Sequence, residues 1–286
     1  MSDKQKQSAA AGAFRAMHRG QRILLLPNAW DVASARIFEE AGFGAIATTS
    51  AGIAFTLGYP DGQRISRNEM LQAVSRIAAA VRVPVTADVE AGYGDRPEDA
   101  AQTALAVIES GAVGMNLEDA SGHANHSLVD LPLQLEKIAA INESKRKMGV
   151  PIVLNARTDV YLLQVGLAEK RYDHALRLLA AFRDAGADCL FLPGMRDAAT
   201  IGRMVKDLNS PLNILAGPGS PSVPELQQLG VARVSLGSSA MRATLGLLRR
   251  ISDELKTTGT YRSLENAPSH DDVNRMMSSQ LTSKSS

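Results

Sequence analysis

The sequence predicts an α/β protein built as a closed (β/α)8 TIM barrel with a helical extension at its C-terminal end. Three observations predict it. Eight short runs rich in Ile, Val and Leu recur along the chain. Their first residues are apolar on both faces, as parallel strands covered from both sides require. Longer helical patterns lie between them, and the junctions AGFGA, SGAVG, AGADC and LGVAR each offer a glycine for a helix C-cap just before the next strand. In order, the strands are expected at residues 23–27 (ILLLP), 45–50 (AIATTS), 83–90 (VPVTADVE), 113–119 (VGMNLED), 151–159 (PIVLNARTD), 189–194 (CLFLPG), 211–217 (PLNILAG) and 231–237 (VARVSLG). Helices are expected at 66–81, 97–110, 131–148, 172–185, 197–208 and 239–256. Eight βα units at this spacing suit a closed barrel. An open doubly wound sheet would carry a glycine fingerprint after its first strand, where PNAWDVASAR stands instead.

A chain of 286 residues could hold two ordinary domains, but a single barrel accounts for most of it. The expected organisation is a flexible tail at 1–12, the barrel at 13–256 and an extension at 257–286, turn-rich with one short helix after Ser269. Hydrophobic residues at 45% and charged residues at 21% supply a sizeable core and exclude disorder as the main state. Thirty-one Lys and Arg against 30 Asp and Glu leave a net charge of +1, no footprint for nucleic acid or an anionic membrane. No run has the length of a membrane span, and residues 1–11 lack the apolar core of a signal sequence. One cysteine, Cys189, makes neither an intrachain disulfide nor a cysteine-rich zinc site. A cytoplasmic protein with a small ligand is expected.

Barrel enzymes carry their chemistry at the C-terminal ends of the strands. Here those ends are acidic. Asp88 and Glu90 close one run, and strand alternation would put them on the same side of the sheet; Glu118 and Asp119 close the next, and Arg157 and Asp159 the one after. Acids converging at such a rim raise one another's pKa unless a cation neutralises them. Oxygen ligands without a His or Cys cluster favour Mg2+, with Mn2+ as the substitute. Arg157 suits the carboxylate of a small substrate, gripped through a bidentate fork, or else balances the acids in a salt-bridge network. Ser50, Ala51 and Gly52 form a turn of small residues that lets backbone amides and a hydroxyl approach a ligand oxygen. Asp61 sits in the loop LGYPDG, as a further acid or a simple turn aspartate.

Taken together, NAWDVASAR, TTSAGIA, ADVEAGYGD, NLEDA, NARTD and RVSLG resemble, in this order, the isocitrate lyase and phosphoenolpyruvate mutase superfamily. The resemblance spans nearly the whole chain. It implies a (β/α)8 barrel that binds Mg2+ and makes or breaks C–C or P–C bonds beside a carboxylate, through an enolate of a 2-oxo acid. Residue by residue, it implies Asp88 as the direct metal ligand, Glu90 and Glu118 as further carboxylates of the metal shell, and Asp61 as the acid holding metal-bound water. Arg157 takes the part of the substrate-carboxylate arginine, and Ser50, Ala51 and Gly52 that of the turn that holds the oxo-acid end.

The loop after the NLED run distinguishes activities within the superfamily. Here it reads EDASGHANHS, from Glu118 to Ser127. It lacks the K-x-C-G-H motif of the isocitrate and methylisocitrate lyases, and Ala120 stands where phosphonomutases and phosphonopyruvate hydrolases carry Lys. What remains resembles the oxo-acid branch with its decarboxylases and acetylhydrolases. The reading is a Mg2+-dependent lyase of a small 2-oxo or 2-hydroxy carboxylate, with oxaloacetate-type decarboxylation foremost. P–C bond chemistry on phosphonopyruvate, or oxo-acid binding without turnover, are the alternatives. His123 or His126 could deliver a proton or be plain loop residues, and Tyr93 could be a proton donor or pack the G-Y-G turn. Cys189, at the start of a strand, is expected to pack in the core. The resemblance also implies an eighth barrel helix exchanged between subunits and dimers paired into a homotetramer. The stripe Leu245, Leu248, Ile251 and Leu255 needs a cover, from its own barrel or a second copy.

Overall fold

Parallel pairing runs through the whole sheet and closes it. In the computed structural model, which describes residues 3–120 and 127–278, the elements follow in chain order as α1 (Asp3–Met17), β1 (Leu24–Leu26), β2 (Asn28–Ala29), α2 (Val32–Glu40), β3 (Ile46–Thr48), α3 (Ser50–Thr56) and α4 (Arg67–Ala80). Then come β4 (Val85–Ala87), α5 (Pro97–Glu109), β5 (Gly114–Glu118), α6 (Leu131–Met148), β6 (Val153–Arg157), α7 (Arg171–Asp184), β7 (Cys189–Phe191) and α8 (Ala198–Leu208). The chain continues through β8 (Leu212–Leu215), α9 (Val223–Gln228), β9 (Arg233–Ser235), α10 (Ser239–Thr257) and α11 (His270–Ser278). The eight expected strand runs thus give nine strands in the described chain. β1 falls within the first expected run, Pro27, which has no N–H to donate, ends that run, and β2 follows just beyond it. β1 pairs with β9 and β2 with β3, so these two short strands on either side of Pro27 join the ends of the sheet into a TIM barrel.

The N-terminal segment departs from the expected tail. Residues 3–17 are helical, and Ala11 and Phe14 are fully buried beneath the barrel with Leu24, Leu26, Ala47, Val113 and Val153. A sequence that looks polar over residues 1–11 folds because one face carries the two apolar anchors while its polar side chains find carbonyls. Gln7 Nε2 donates to the carbonyls of Ile108 (2.7 Å) and Ala112 (2.9 Å), and Arg15 Nη2 donates to that of Pro151 (3.1 Å). This helix plugs the N-terminal end of the strands, opposite the rim that carries the acids.

Strand ends matter for the site. β4 stops at Ala87, so Asp88 and Glu90 lie beyond it, and the alternation expected to put them on one side does not reach them. At the other end of the chain, α11 returns to α2, where Arg36 Nη1 donates to the carbonyls of Met276 and Met277 at 2.6 Å each. Among the described residues no helix is long and apolar enough to cross a membrane.

Candidate active site

Asp88 is the best-held acid of the rim. Its backbone N–H donates to Thr48 Oγ1 at 2.9 Å, which ties the turn after β4 to the end of β3. Its Oδ2 accepts from the Ser50 amide (3.0 Å) and hydroxyl (2.9 Å), and its Oδ1 from Asn116 Nδ2 (3.2 Å). Thr49 caps α3 and Ser50 opens it. The small-residue turn is therefore where the sequence placed it, but Ser50 faces Asp88 and spends both of its donors there. Gly52 has a steric reason: a Cβ on it would come within 2.5 Å of Thr49 Cγ2 and 2.9 Å of Trp30 Cβ.

The next turn is strained. Glu90 and Tyr93 adopt φ values of +53° and +58°, and both lie beside Gly92 at +92°. Each non-glycine residue held there costs on the order of 1–3 kcal/mol and persists only where its surroundings fix it. They are fixed by Gln63, whose amide donates to Glu90 Oε2 (2.5 Å) and whose Oε1 accepts from the Tyr93 amide (2.7 Å). Buried Lys137 on α6 donates to the carbonyls of Gly94 (2.8 Å) and Ala91 (3.4 Å). The Tyr93 hydroxyl donates to Glu90 Oε1 at 3.3 Å, so this side chain does reach the acids.

Glu118 and Arg157 end the neighbouring strands β5 and β6 and are paired in register. Arg157 Nη1 stands 2.6 Å from Glu118 Oε2, while Nε and Nη2 grip Asp159 in a fork at 2.6 and 2.8 Å. The fork expected for a substrate carboxylate is thus engaged by Asp159, and the guanidinium lies 5.6 Å from the Phe191 ring centre. Asp159 is set in turn by its amide, which donates to Asp119 Oδ1 at 2.9 Å.

Burial and crowding act together on these carboxyls. Burial, then Asp61 and Asp88, push Glu90 up to about 7. Partial desolvation, then Asp88, raise Asp61, an exposed loop residue whose Oδ1 accepts from the Gly62 amide. Burial raises Glu118 well above the usual range against the pull of Arg157, and Asp159, Asp88 and Glu90 add to it. Burial also lifts Asp119 to about 7. Among the described residues no three of His, Cys, Asp and Glu stand close enough together to form a ready metal cage. The donor set nevertheless fits a hard divalent cation. Its groups are carboxylate oxygens, neighbouring carboxylates push Glu90 and Glu118 upward, and among the described residues Arg157 is the cation ion-paired there, with Glu118 and Asp159.

His123 and His126 lie outside the described residues, so nothing is placed there. Cys189 is fully buried, and burial pushes its thiol up to about 12, which suits packing rather than reactivity. Sequence reasoning missed Gln63, Asn116 and Lys137. Asn116 had a legible signal, because it precedes Glu118 by two on the same strand and so shares its face. Gln63 and Lys137 had none, since their roles depend on a loop and a helix folding back over one turn.

The family model described as phosphoenolpyruvate phosphomutase matches residues 14–256. A crystal structure of a candidate lyase/mutase from Burkholderia cenocepacia J2315 superposes with a TM-score of 0.88 at 39% identity, covering 94% of this chain and 95% of that one. Oxaloacetate decarboxylase of Ectopseudomonas mendocina (strain ymp) is 29% identical over 251 residues, 83% of this chain and 82% of that protein. Oxaloacetate acetylhydrolase, solved with its product oxalate, superposes with a TM-score of 0.85 at 26% identity, covering 98% of this chain and 97% of that one.

Proposed function

The chain belongs to the phosphoenolpyruvate phosphomutase family, within the isocitrate lyase and phosphoenolpyruvate mutase superfamily, and from that premise we propose a Mg2+-dependent carbon–carbon lyase of a small 2-oxo or 2-hydroxy carboxylate. Oxaloacetate-type decarboxylation is the reaction that we assign. One observation carries the reading: the acids Asp61, Asp88, Glu90, Glu118 and Asp159 gather at a single rim past the strand ends, where Arg157 pairs with Glu118 and Asp159. Asp88 would hold the ion directly, Glu90 and Glu118 would support it, and Asp61 would hold its water. A bound Mg2+ supplies Lewis acidity toward the oxo and carboxylate oxygens of the substrate.

The chain's own groups do the rest. Ser50 and Asn116 fix the two oxygens of Asp88. Gln63 and Lys137 hold the strained turn that presents Glu90 and Tyr93. The N–H groups of Arg157 not committed to Glu118 and Asp159 remain for a substrate carboxylate. The Tyr93 hydroxyl, raised by burial, keeps its proton at neutral pH and can donate it as a hydrogen bond at the rim.

Incubating purified protein and Mg2+ with oxaloacetate, phosphonopyruvate and 2-methylisocitrate, and following pyruvate, phosphate and succinate, tests the reading. Pyruvate from oxaloacetate, lost with EDTA and restored by Mg2+, is the expected result. Phosphate release from phosphonopyruvate would favour the second reading, P–C chemistry, for which the family description speaks. Thermal stabilisation by 2-oxo acids without any product would make the protein a binder and overturn the enzyme reading.

We also propose a homotetramer, a dimer of dimers. On α10 only Met241 is buried, while Leu245, Leu248 and Leu255 are exposed, Leu248 at 57%. An apolar stripe on a helix that its own barrel leaves open suits a second copy of the chain. Light scattering giving a monomer near 30.4 kDa at micromolar concentration would refute it.

A further inference from the structure

Behind Asp88 the barrel interior is polar. Arg233 on β9 is 1% exposed and heads the largest fully buried side chains among the described residues. Its Nε and Nη1 have no hydrogen-bond partner among those residues, and its Nη2 reaches Asn116 Oδ1 at 3.5 Å. The same Asn116 oxygen accepts from Asn155 Nδ2 at 2.8 Å. The other end of that amide, Nδ2, donates to Asp88 Oδ1 at 3.2 Å. Burial lowers the Arg233 guanidinium to about 10, so it stays charged at neutral pH.

The chemistry of the three groups fixes their order. A guanidinium has donors only, and an ionised carboxylate has acceptors only. A side chain that joins them must therefore show an acceptor to one and a donor to the other, and an asparagine amide does so in one orientation alone. Turned over, Asn116 would set its NH2 against the Arg233 guanidinium and its oxygen against the Asp88 carboxylate, losing both contacts at once. A buried charge makes that error expensive, because nothing solvates the wrong pairing.

We propose that Arg233 is a positioning residue for Asp88: it and Asn155 lock the Asn116 amide, which holds Asp88 Oδ1 while Ser50 holds Oδ2, and so fixes the plane of the carboxylate. The proposal rests on the reading of Asp88 as the metal ligand. Arg233 touches neither metal nor substrate in it; its effect passes through Asn116.

Full-length wild type and the variants Asp88→Ala, Asn116→Leu, Arg233→Met, Arg233→Lys and the Asn116→Leu/Arg233→Met double are titrated with Mn2+ by calorimetry, with circular dichroism as the check of folding. Asn116→Leu and Arg233→Met should each raise the Mn2+ Kd about 10- to 100-fold, as loss of a partner behind a metal ligand commonly does. Arg233→Lys, which still offers only donors, should restore the Kd to within about threefold of wild type. The double variant should be no weaker than the weaker single, since both remove one contact. Wild-type Mn2+ affinity in folded Asn116→Leu or Arg233→Met, or additive losses in the double, would overturn the proposal. If Arg233→Met does not fold, the pair Asn116→Leu weakened and Arg233→Lys unaffected supports it, and Asn116→Leu unaffected overturns it. Asp88→Ala separates the two levels. Retained Mn2+ affinity there defeats the metal reading itself, whereas lost affinity with indifferent Asn116 and Arg233 variants defeats the positioning role alone.

Discussion

At the plugged end of the barrel, Asp188 faces two cations, Arg15 at 3.0 Å and Lys145 at 2.9 Å, and its Oδ2 also accepts from the Leu154 amide. At the open end, Asp61, Asp88, Glu90, Glu118 and Asp159 gather where Arg157 pairs with Glu118 and Asp159. The first arrangement is satisfied within the chain, and its carboxylate contributes to folding. At the second, Glu90 and Glu118 are pushed upward by burial and by neighbouring carboxylates, and the backbone at Glu90 and Tyr93 lies in the left-handed region. A chain that balances charge at one end has the means to do so at the other. That it does not marks the open end as built for something that arrives, and the plugged end as built for stability.

Two aspartates make the largest test of that contrast. Asp88→Ala should bring Mg2+-dependent turnover to background while stability moves by less than about 1.5 kcal/mol, because relief of repulsion offsets the stranded donors of Ser50 and Asn116. Asp188→Ala should do the reverse. It strands the nearly buried Lys145 and should cost about 3 kcal/mol in guanidinium unfolding, with kcat per folded molecule unchanged. A Glu90→Ala or Glu118→Ala variant should weaken Mg2+ affinity about 10- to 100-fold, less than Asp88→Ala. Equal stability losses at the two ends would erase the distinction.

Arg157 sharpens it next. Lysine offers a point charge where Arg157 spans Glu118 and both oxygens of Asp159. Arg157→Lys should therefore lower kcat/KM nearly as much as Arg157→Ala, on the order of 100-fold, within the 2–5 kcal/mol expected when one partner of a buried charge pair is lost. Full activity in the lysine variant would remove the planar fork from the account of the rim.

Much of this contrast was legible in the sequence, and the remainder has a physical reason for being hidden. The strand runs and the acids at their ends can be read directly, because parallel strands buried on both faces leave apolar runs and the first polar residues after them fall at the rim. The helical expectation at 131–148 coincides with α6. The plug was not legible: residues 3–17 carry few apolar anchors, and their helix is secured by carbonyls more than a hundred positions away. The turn that holds Glu90 was hidden for the same reason. Alternation fails once β4 ends at Ala87, and Gln63 and Lys137 reach the turn from distant segments.

The two ends should also titrate in opposite senses. Burial, with Arg233 adding to it, lowers His18 at the plug to about 4, so the unfolded chain binds a proton that the folded chain refuses. Its stabilising contribution is complete above pH 6.5 and is lost as pH falls toward 4, by up to about 3 kcal/mol. Glu90, raised to about 7, has the opposite sign: its contribution is complete below the unfolded value of 4.5 and is lost as pH rises through 7. Urea midpoints between pH 4 and 8 should therefore fall less steeply on the acid side in His18→Phe than in wild type. An unchanged slope would mean that the plug admits water to His18.

Cys189 gives the smallest effect and the finest division between the ends. It opens β7, fully buried, with its Sγ 3.8 Å from the Leu190 carbonyl. Burial holds the thiol near 12 against the opposing influence of Arg233, so no thiolate forms at neutral pH. Cys189→Ser replaces a soft, weakly donating group by a hydroxyl whose proton must find an acceptor near the buried Arg233 guanidinium, which offers donors only, at a cost of about 1 kcal/mol. Cys189→Ala tests packing without that polarity and should cost no more. Both variants should keep wild-type kcat, because the residue stands at the start of its strand, on the plug's side, while the acids stand past the strand ends. A drop in kcat in either folded variant would carry the working part of the barrel deeper than the rim and move the boundary between the two regions down to the level of Cys189.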